Sequence, residues 1–480
     1  MAAFNLSATF PKKVLREAAK VSTFLEKPGA REDLRKKFIF TCDPQSARDY
    51  DDALSLDKDP SGNLVLGVHI ADVAHFVRPG SALDNEAYKR GTSVYLAEKV
   101  VPMLPEELSN GVCSLVPGED RLAFSCFMVF SKDGRMLARR FAKTIIRSKA
   151  RFTYEQVLRL LTGKGKTPGV KTAWIASIRK ISRLAQTLRK KRFAAGALDL
   201  AVPEAEVVLD ENHEMVDLKI RANDIAHQMV EECMIAANEA VATELRTRGI
   251  KFLARFHAKP DEDKLQELEA NLKHLGIKTG NLAIPKNLKK LLSSIQGHPL
   301  EGIISVMILR SMKKALYDAK EIGHWGLAKR YYAHFTSPIR RYPDLTLHRQ
   351  LASFIAGTGG RADPAYLSKA AIHTSEKEIE AAEAERNMIE VKKYRYLEKH
   401  PGPYEAVVVK VVKFGVFVDL PSLAASGMVH IRNLAREYIL WDEAAEELHT
   451  SSHRWHVGTR MRVMVDTVDY THRWIDFIPA

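Results

Sequence analysis

Four aspartates within ten residues near the start of the chain are well placed to do chemistry. Asp43, Asp49, Asp51 and Asp52 lie between two apolar segments, F-I-F-T and A-L-S-L. Carboxylates this close repel one another unless cations or hydrogen bonds offset the repulsion. Their hard oxygen ligands favour Mg²⁺ or Mn²⁺, which bind through few carboxylates and keep water and substrate phosphate as the remaining ligands. The spacing therefore predicts a divalent metal site.

An acidic segment of this kind could also be a solvent-exposed loop or an EF-hand calcium loop. A solvent-exposed acidic loop would fit four aspartates, but such loops are normally flanked by polar residues. An EF-hand counted from Asp49 needs Gly at position six and Glu at position twelve, where the chain has Leu54 and Pro60. A register that begins at Asp57 fails at its twelfth position, Val68. A solvent-exposed acidic loop therefore remains an alternative interpretation, whereas an EF-hand calcium loop is disfavoured.

The elements that must hold the aspartates are strands. Apolar and β-branched runs predict strands at 38–41, 53–56, 64–70 and 124–130, with a hairpin turn at 59–63. After residue 154 the pattern becomes helical. The predicted helices include Asp224–Arg248, Glu262–Leu275, Glu301–Tyr317 and Pro364–Leu397. Strands followed by helices indicate an α+β fold, a mixed sheet surrounded by helices.

The ends of the chain have their own organisation. Pro11 suits the start of a helix that runs on to Val21, and this segment of 30 residues is expected to pack on the main body. The sequence H-P-G-P at 400–403 ends the last long helix. The strand-rich segment beyond it has the length of a five-stranded OB barrel. We therefore predict three parts, 1–30, 31–400 and 401–480.

Composition is that of a globular protein. Of 480 residues, 46% are hydrophobic and 28% are charged, and no run approaches the roughly 18 apolar residues that span a bilayer. The first residues lack the apolar stretch of a signal peptide. We therefore expect a cytoplasmic protein with no membrane partner. The four cysteines are far apart with no C-x-x-C pair, so they are expected to be reduced, buried thiols.

Positive charge is concentrated in one region. The net charge is +14, and the stretch 131–200 contains 19 Lys or Arg but only three acids. Aromatic residues are interleaved with these cations, namely Phe141, Phe152, Tyr154, Trp174 and Phe193. Cations among rings suit a groove that follows phosphates and stacks bases. The alternative is that the cations only solvate helix faces.

Several motifs in the same order resemble the RNase II / RNase R (RNB) family of exoribonucleases. The acidic segment reads D-P-x-x-A-x-D-x-D-D-A from Asp43 to Ala53. The other matching motifs are V-H-I-A-D-V at 68–73, S-V-Y-L at 93–96, P-M-L-P-E-E-L-S-N at 102–110, C-S-L at 113–115 and H-F-T-S-P-I-R-R-Y-P-D-L at 334–345. The resemblance covers about residues 31–400, and the final segment is similar to the RNA-binding OB domain that ends such enzymes.

The resemblance implies an activity and a set of catalytic residues. The family hydrolyses single-stranded RNA processively from the 3′ end to nucleoside 5′-monophosphates by a two-metal mechanism, with Mg²⁺ or Mn²⁺. By similarity Asp43, Asp49 and Asp52 hold metal, and Asp51 is the acid most critical to the chemical step. Arg340 matches the arginine that contacts the terminal phosphate, although a structural salt bridge is its alternative role.

The resemblance also implies RNA contacts. Arg341 is expected to share the work of its neighbour on phosphate. Tyr95 matches a tyrosine that stacks on the final nucleotides, and Glu385 matches an acid that reads a ribose 2′-hydroxyl. For these two the alternatives are a half-buried core tyrosine and a solvated helix face. The remaining expected contacts are the clamp aromatic Tyr154 and the barrel residues Phe414, Phe417 and His430.

The chain departs from the family pattern in two places. Leu200 stands where a second clamp aromatic is usual, which leaves the final product length undetermined. Relatives carry two cold-shock domains before the catalytic domain, whereas about 30 residues precede it here. We therefore expect a more open RNA entrance that admits partly structured RNA with a 3′ overhang.

The protein is expected to be a monomer. Two other classes of function are alternatives to an exoribonuclease. A degenerate nuclease that serves as an RNA-binding scaffold or translational regulator is disfavoured, because a binder gains nothing from four acids that face a polyanion. A DNA exonuclease is disfavoured by the acid at position 385.

Overall fold

The structure is a computed structural model that describes residues 4, 6–22, 31–164, 169–199, 204–221, 223–298, 300–320, 323–443 and 445–480. Leu200, the predicted second clamp position, lies outside these residues. Within them, no helix is long and apolar enough to cross a membrane.

The strands before the terminal barrel are β1 Glu32–Asp33, β2 Phe40–Asp43, β3 Asp52–Lys58, β4 Leu64–Ala71, β5 Val94–Tyr95, β6 Val100–Val101, β7 Asp120–Phe130, β8 Met136–Arg147, β9 Ala150–Thr153, β10 Glu204–Leu209, β11 Met215–Arg221, β12 Ala254–Phe256 and β13 Leu316–Asp318. Those of the terminal segment are β14 Tyr404–Val412, β15 Gly415–Leu420, β16 Ala425–His430, β17 Leu440–Asp442, β18 Glu447–His449, β19 Arg454–Trp455, β20 Arg460–Asp469 and β21 Trp474–Pro479.

The helices are α1 Lys12–Ser22, α2 Val73–Phe76, α3 Ala82–Arg90, α4 Tyr154–Thr162, α5 Thr172–Ala194, α6 Ile225–Thr247, α7 Glu262–His274, α8 Pro285–Ser294, α9 Glu301–Ser311, α10 Tyr342–Ile355, α11 Pro364–Lys399 and α12 Ile431–Leu434. A short π-helical turn covers Glu107–Val112, and a 3₁₀ turn covers Trp325–Leu327.

The centre of the molecule is a seven-stranded mixed sheet in the order β1-β8-β7-β4-β3-β2-β9. Its edge pairs β1–β8 and β2–β9 are parallel, and the pairs between them are antiparallel. All four predicted strands belong to this sheet. The predicted hairpin turn joins β3 to β4, where Asp59 accepts hydrogen bonds from Asn63. With helices on both faces of the sheet, the α+β prediction is confirmed.

Both faces of the sheet are buried, as alternation along the strands requires. Phe40 of β2 and Leu54 of β3 belong to one apolar cluster, which α5, α6 and α10 cover. Their neighbours Ile39 and Ala53 belong to the opposite cluster, with residues of α1 and α3. A strand buried on both faces is held rigidly, and two such strands carry the aspartates.

The N-terminal helix packs on the main body, as the sequence predicted. Val14 and Ala18 of α1 are buried in the cluster that includes α3. The Glu17 carboxylate accepts hydrogen bonds from the backbone N–H groups of Ala82 and Leu83, the first residues of α3. An acid at a helix N-terminus satisfies unpaired donors and interacts favourably with the helix dipole.

The helix predictions are mostly confirmed. α6, α7 and α11 match their predicted spans within about two residues, and Asp224 caps α6 as an N-cap aspartate does. The prediction of one helix over Glu301–Tyr317 is wrong. α9 ends at Ser311, because the later residues 316–318 form β13 and pair with β12. The hairpin β10–β11 was not predicted.

The terminal segment contains a closed five-stranded barrel in the order β14-β15-β16-β21-β20, which confirms the predicted OB barrel. A small sheet, β17-β18-β19, is inserted between β16 and β20. The end of α11 packs into the barrel: Tyr394 and Leu397 are buried in its core cluster. The Tyr394 hydroxyl also donates to the Arg473 carbonyl at 3.0 Å.

Candidate active site

Asp43 ends strand β2 and is only 9% exposed. The neighbouring strand β9 supplies Arg151, whose guanidinium donates hydrogen bonds to the carbonyls of Pro44 and Gln45 and so fixes the start of the acidic loop. Burial, and then the charge of Asp52, raise the pKa of Asp43 to about 8. Oδ2 of Asp43 is buried without a hydrogen-bond partner. The charged carboxylate is costly when it is buried away from water without a partner, so it is suited to a cation.

Asp51 and Asp52 lie at the start of β3. Oδ1 of Asp51 accepts the backbone N–H of Ile339 at 2.9 Å. Oδ2 lies 3.7 Å from Nε of Arg340, too far for a hydrogen bond, and has no partner although it is buried. Burial raises the pKa of Asp51, and Arg340 opposes the rise. Burial also raises the pKa of Asp52, to about 6.

Tyr95 links the acidic loop to the long helix α11. Its hydroxyl donates to Oδ2 of Asp49 at 3.1 Å, and its backbone N–H donates to Oε1 of Glu385 at 2.6 Å. The side chain is 39% exposed, so the ring is available to a ligand rather than buried in the core. Burial raises the pKa of Glu385, although the hydrogen bond from Tyr95 and the charge of Arg340 oppose the rise. Three predicted site residues therefore form one group.

Arg340 lies on a turn that Asp344 organises. Oδ1 of Asp344 accepts the backbone N–H of Ser337 and a guanidinium N–H of Arg341, both at 2.8 Å. The guanidinium of Arg340 donates to Oγ of Ser337 at 3.0 Å and is 42% exposed. Arg340 is therefore open to a ligand, whereas its neighbour Arg341 forms a salt bridge and holds the turn.

Tyr154 begins helix α4, behind the N-cap Thr153. Its ring stacks on the ring of His227 with centroids 3.9 Å apart and planes within 14°. His227 in turn contacts Asp224 through Nδ1 at 3.0 Å. The structure does not bring Tyr154 into the hydrogen-bonded group around Tyr95.

The predicted barrel residues lie on the strands and turns of the terminal barrel. Phe414 is 45% exposed at the turn between β14 and β15. Gly415 pairs with His430, and residues two apart share a face, so Phe417 and His430 project from the same side of the barrel. Phe417 contacts Trp474 edge-on at 5.5 Å. Together they form an outward aromatic surface.

The basic stretch is largely tied into the protein, in contrast to the groove that its composition suggested. Phe152 is a core residue at 3% exposure, and Trp174 stacks on Phe38. Many of its cations form salt bridges, most of them with acids outside the stretch, including Arg139, Arg140, Lys143, Arg147, Arg189, Lys191 and Arg192. Local charge counts therefore overstate the cation density available to RNA.

The carboxylates have the chemistry of a cation site without a closed ligand shell. Among the described residues, no group of three or more His, Cys, Asp or Glu is gathered closely enough to enclose an ion. The unpartnered oxygens of Asp43 and Asp51 nevertheless fit a cation that keeps water and phosphate among its ligands. These residues therefore fit a divalent ion bound through few protein oxygens.

Sequence reasoning missed some residues of the site. Asp344 and Ser337 hold the turn that carries Arg340, and His227 supports Tyr154. The i,i+3 spacing of Arg341 and Asp344 was an available signal, since such pairs meet on one helix face. No local signal pairs residue 154 with residue 227, because that contact depends on tertiary packing.

Comparison with known families agrees with this architecture. A profile of the RNB domain matches residues 31–357, and a profile of the S1 RNA binding domain matches residues 403–477. The fold is thus that of an RNB-type exoribonuclease domain followed by an S1 barrel. The chain belongs to the RNB family, which confirms the resemblance seen in the motifs.

Individual relatives are similar to this chain over nearly its whole length. Ribonuclease R of Thermotoga maritima is 41% identical over 98% of this chain and 68% of its own length. The solved structure of Mycoplasma genitalium RNase R in complex with ribose methylated single-stranded RNA has a TM-score of 0.91 and 28% identity, and covers 99% of this chain and 76% of that chain. The complex of the same enzyme with double-stranded RNA has a TM-score of 0.88 and 28% identity, covering 100% and 82%. The chain is a 3′–5′ exoribonuclease, and enzymes of this family are metal-dependent hydrolases.

Proposed function

We propose that this enzyme hydrolyses single-stranded RNA processively from the 3′ end and releases nucleoside 5′-monophosphates, with Mg²⁺ as the preferred ion and Mn²⁺ as a substitute. The observation that carries the proposal is the pair Asp51 and Arg340. A buried carboxylate oxygen without a partner lies 3.7 Å from an exposed guanidinium, so that negative and positive groups face one small volume. A phosphodiester flanked by cations fits that volume.

We assign the metal-binding role to Asp43, Asp49 and Asp52. Two bound divalent ions would supply positive charge to the scissile phosphate and a more acidic water for in-line attack. The chain's own contribution is to hold Asp43 and Asp52 on rigid strands. Burial of these two acids disfavours their charged forms and so strengthens the demand for a cation.

The roles of Asp51 and Arg340 follow from their contacts. Asp51 is oriented by the N–H of Ile339, which leaves Oδ2 to act at the reacting phosphate. Arg340 binds the phosphate and neutralises charge that develops on its oxygens. Arg341 acts indirectly: it pairs with Asp344 and positions the turn. This is a change from the shared phosphate contact expected at first.

The last nucleotides of the strand are assigned to Tyr95 and Glu385. The exposed ring of Tyr95 can stack on a base, and its contacts fix it relative to Asp49. Glu385 Oε1 already accepts the Tyr95 N–H, so this carboxylate would lie beside a base stacked on Tyr95, with Oε2 as an acceptor for a ribose 2′-hydroxyl. Tyr154 extends the aromatic contacts as the clamp residue.

The strand farther from the cleavage site is assigned to the barrel, with Phe414, Phe417 and His430 as contacts. We propose the division into a short helical segment at 1–30, a catalytic domain at 31–400 and an RNA-binding barrel at 401–480. We further propose a cytoplasmic monomer that also degrades structured RNA with a 3′ overhang. The double-stranded RNA complex of the Mycoplasma genitalium relative supports the last point.

One experiment tests the activity. RNA and DNA of equal sequence, labelled at the 5′ end and internally, are incubated with the enzyme in Mg²⁺ or in EDTA. We expect mononucleotides from RNA only, and none in EDTA. Asp51→Asn should bind RNA as before and cut negligibly, since the amide keeps the Ile339 contact but loses the charge. Cleavage that persists in the chelator would refute the metal mechanism.

The alternative function is a catalytically inert RNA-binding scaffold or translational regulator. The same assay separates the two functions, because a scaffold binds RNA in both conditions and releases no nucleotide. The buried, unpartnered oxygens of Asp43 and Asp51 argue against it, since a protein that only binds would be stabilised by replacing them with neutral groups.

A further inference from the structure

A second cleft lies apart from the carboxylates. It has a volume of about 490 Å³, and none of the residues assigned above lines it. Its walls come from the end of α5 at Gly196, the segment after β12 at Lys259, the first residue of α8, Pro285, and the segment 323–330. This volume is within the range of about 300–1,000 Å³ that small-molecule sites occupy.

The cleft is basic. Lys259 and Arg330 line it, are exposed, and have no carboxylate within ion-pair distance among the residues that the structure describes. A third cation, Lys329, is paired with Glu239 of α6. No Asp or Glu is among the described lining residues. The start of α8 adds the partial positive charge of a helix N-terminus. The cleft therefore favours an anion.

The cleft also offers rings and a neutral donor. Trp325 lines it with a partly exposed indole, beside His324. Nδ1 of His324 accepts the backbone N–H of Leu327, and burial lowers the pKa of His324 to about 3. The ring is therefore neutral at physiological pH and carries its proton on Nε2, which is a hydrogen-bond donor. Cations, an indole and a donor together match a nucleotide better than a bare anion.

We propose that this cleft binds one nucleotide of the RNA strand on the 5′ side of the cleavage site. Its phosphate lies between Lys259 and Arg330, and its base contacts Trp325. The proposal rests on the proposed action on single-stranded RNA and adds a binding subsite to it. No residue of the active site lines the cleft. Only RNA strands longer than the few nucleotides held at the active site can therefore reach it.

The test compares RNA of two lengths. Binding is measured by fluorescence anisotropy with the full chain carrying Asp51→Asn, so that the strand stays intact. Single-stranded RNAs of about 20 and about 4 nucleotides span the usual range of site sizes. The test variant is Lys259→Gln with Arg330→Gln. Its matched control is Lys278→Gln with Lys290→Gln, which removes two exposed cations from the same helical unit outside the cleft.

We expect the test variant to bind the long RNA roughly tenfold more weakly and the short RNA unchanged, with no change in the control. Because both cations contact one phosphate, their removal should also reduce the salt dependence of binding, with the log–log slope falling by about 0.7. Equal weakening for both lengths, or no weakening, would overturn the proposal.

A second variant tests the base contact. Trp325→Leu should weaken binding of the long RNA, whereas Trp325→Phe should retain part of the affinity, because only an aromatic ring can stack on the base. If the Trp325→Leu and Trp325→Phe variants bind the long RNA with equal affinity, the base does not contact Trp325 and this half of the proposal is wrong. Failure of the proposed function is a separate result, namely that the enzyme with Asp51 intact releases no mononucleotides.

Discussion

The hydroxyl of Tyr95 donates a hydrogen bond to Oδ2 of Asp49 at 3.1 Å. A ring that can stack on a base is thereby tied to a carboxylate assigned to metal. In the proposed mechanism this hydrogen bond would fix the position of the last base relative to the place where the RNA is cut.

Substitutions at Tyr95 should separate its ring from its hydroxyl. Tyr95→Phe keeps the stacking surface and loses one hydrogen bond, so we expect an unchanged limit product and a rate about fivefold lower, as a loss of about 1 kcal/mol would give. Tyr95→Ala should leave a longer limit product, because the last nucleotides lose their stacking partner. Denaturing gels of end-labelled RNA measure both. An unchanged limit product in the Ala variant would contradict the stacking role.

Glu385 should contribute to the preference for RNA over DNA. We expect Glu385→Ala to reduce the ratio of RNA to DNA binding by about tenfold, which corresponds to losing one hydrogen bond to a charged group. Glu385→Gln keeps an oxygen for the Tyr95 N–H and should have a smaller effect. Competition binding with matched RNA and DNA gives the ratio. Glu383→Gln, an exposed acid of the same helix, is the control and should behave as the wild type.

Asp344 should act as a positioning residue for Arg340. Asp344→Asn weakens the contacts to Ser337 and Arg341, so we expect kcat to fall at least tenfold while KM for RNA changes little. Stability should fall by about 3 kcal/mol, as for a broken buried ion pair. Asp363→Ala removes the N-cap of α11 and should cost about 1 kcal/mol without lowering kcat. Steady-state kinetics and thermal unfolding measure these changes. An unaltered kcat in Asp344→Asn would disprove the positioning role.

The sequence predicts the residues of the candidate site better than it predicts the contacts between them. The aspartate cluster was found from its short spacing, whereas Tyr95 and Arg340 were found only because their motifs resemble those of the RNB family. The Asp51–Ile339 contact joins residues 288 positions apart, and only the folded chain shows it. The same limit applies to the fold. Leu316–Asp318 continue an apolar pattern after α9 and suggested helix, but pairing with β12 makes them a strand.

His69 should make the protein sensitive to acid. Both ring nitrogens contact serine hydroxyls inside the sheet, Ser55 at 2.9 Å and Ser125 at 2.7 Å. Burial, with smaller effects of Lys37 and Arg140, lowers the pKa of His69 to about 3. The unfolded chain binds this proton near pH 6.5 and the native chain does not, so stability falls as the pH drops below about 6.5, by up to about 1.4 kcal/mol per pH unit.

The prediction for His69→Gln is a lower stability at neutral pH together with a shallower loss between about pH 6.5 and 4.5. Urea unfolding at several pH values in that window measures both. His400→Gln replaces an exposed histidine and should leave the slope unchanged. If His69→Gln and the wild type lose stability in parallel, the neutral buried imidazole is not the cause.

Metal should stabilise the folded protein. Mg²⁺ at about a hundredfold excess over its dissociation constant would add about 2.7 kcal/mol, because it binds the folded state only. The unfolding temperature should rise with Mg²⁺ in the wild type and little in Asp43→Asn. The control Asp263→Asn, on the exposed surface of α7, should keep the full rise. An equal rise in all three proteins would mean that the ion binds elsewhere.

Helix α11 carries Glu385 near its middle and Tyr394 in the core of the barrel. These residues are nine positions apart on one continuous helix, which is about 14 Å along its axis. The separation between the proposed sugar contact and the barrel proposed to bind the strand upstream is therefore constant. Each cleavage cycle would then move the RNA past two contacts at a fixed distance, and a shift of the barrel relative to Glu385 would require the helix to bend.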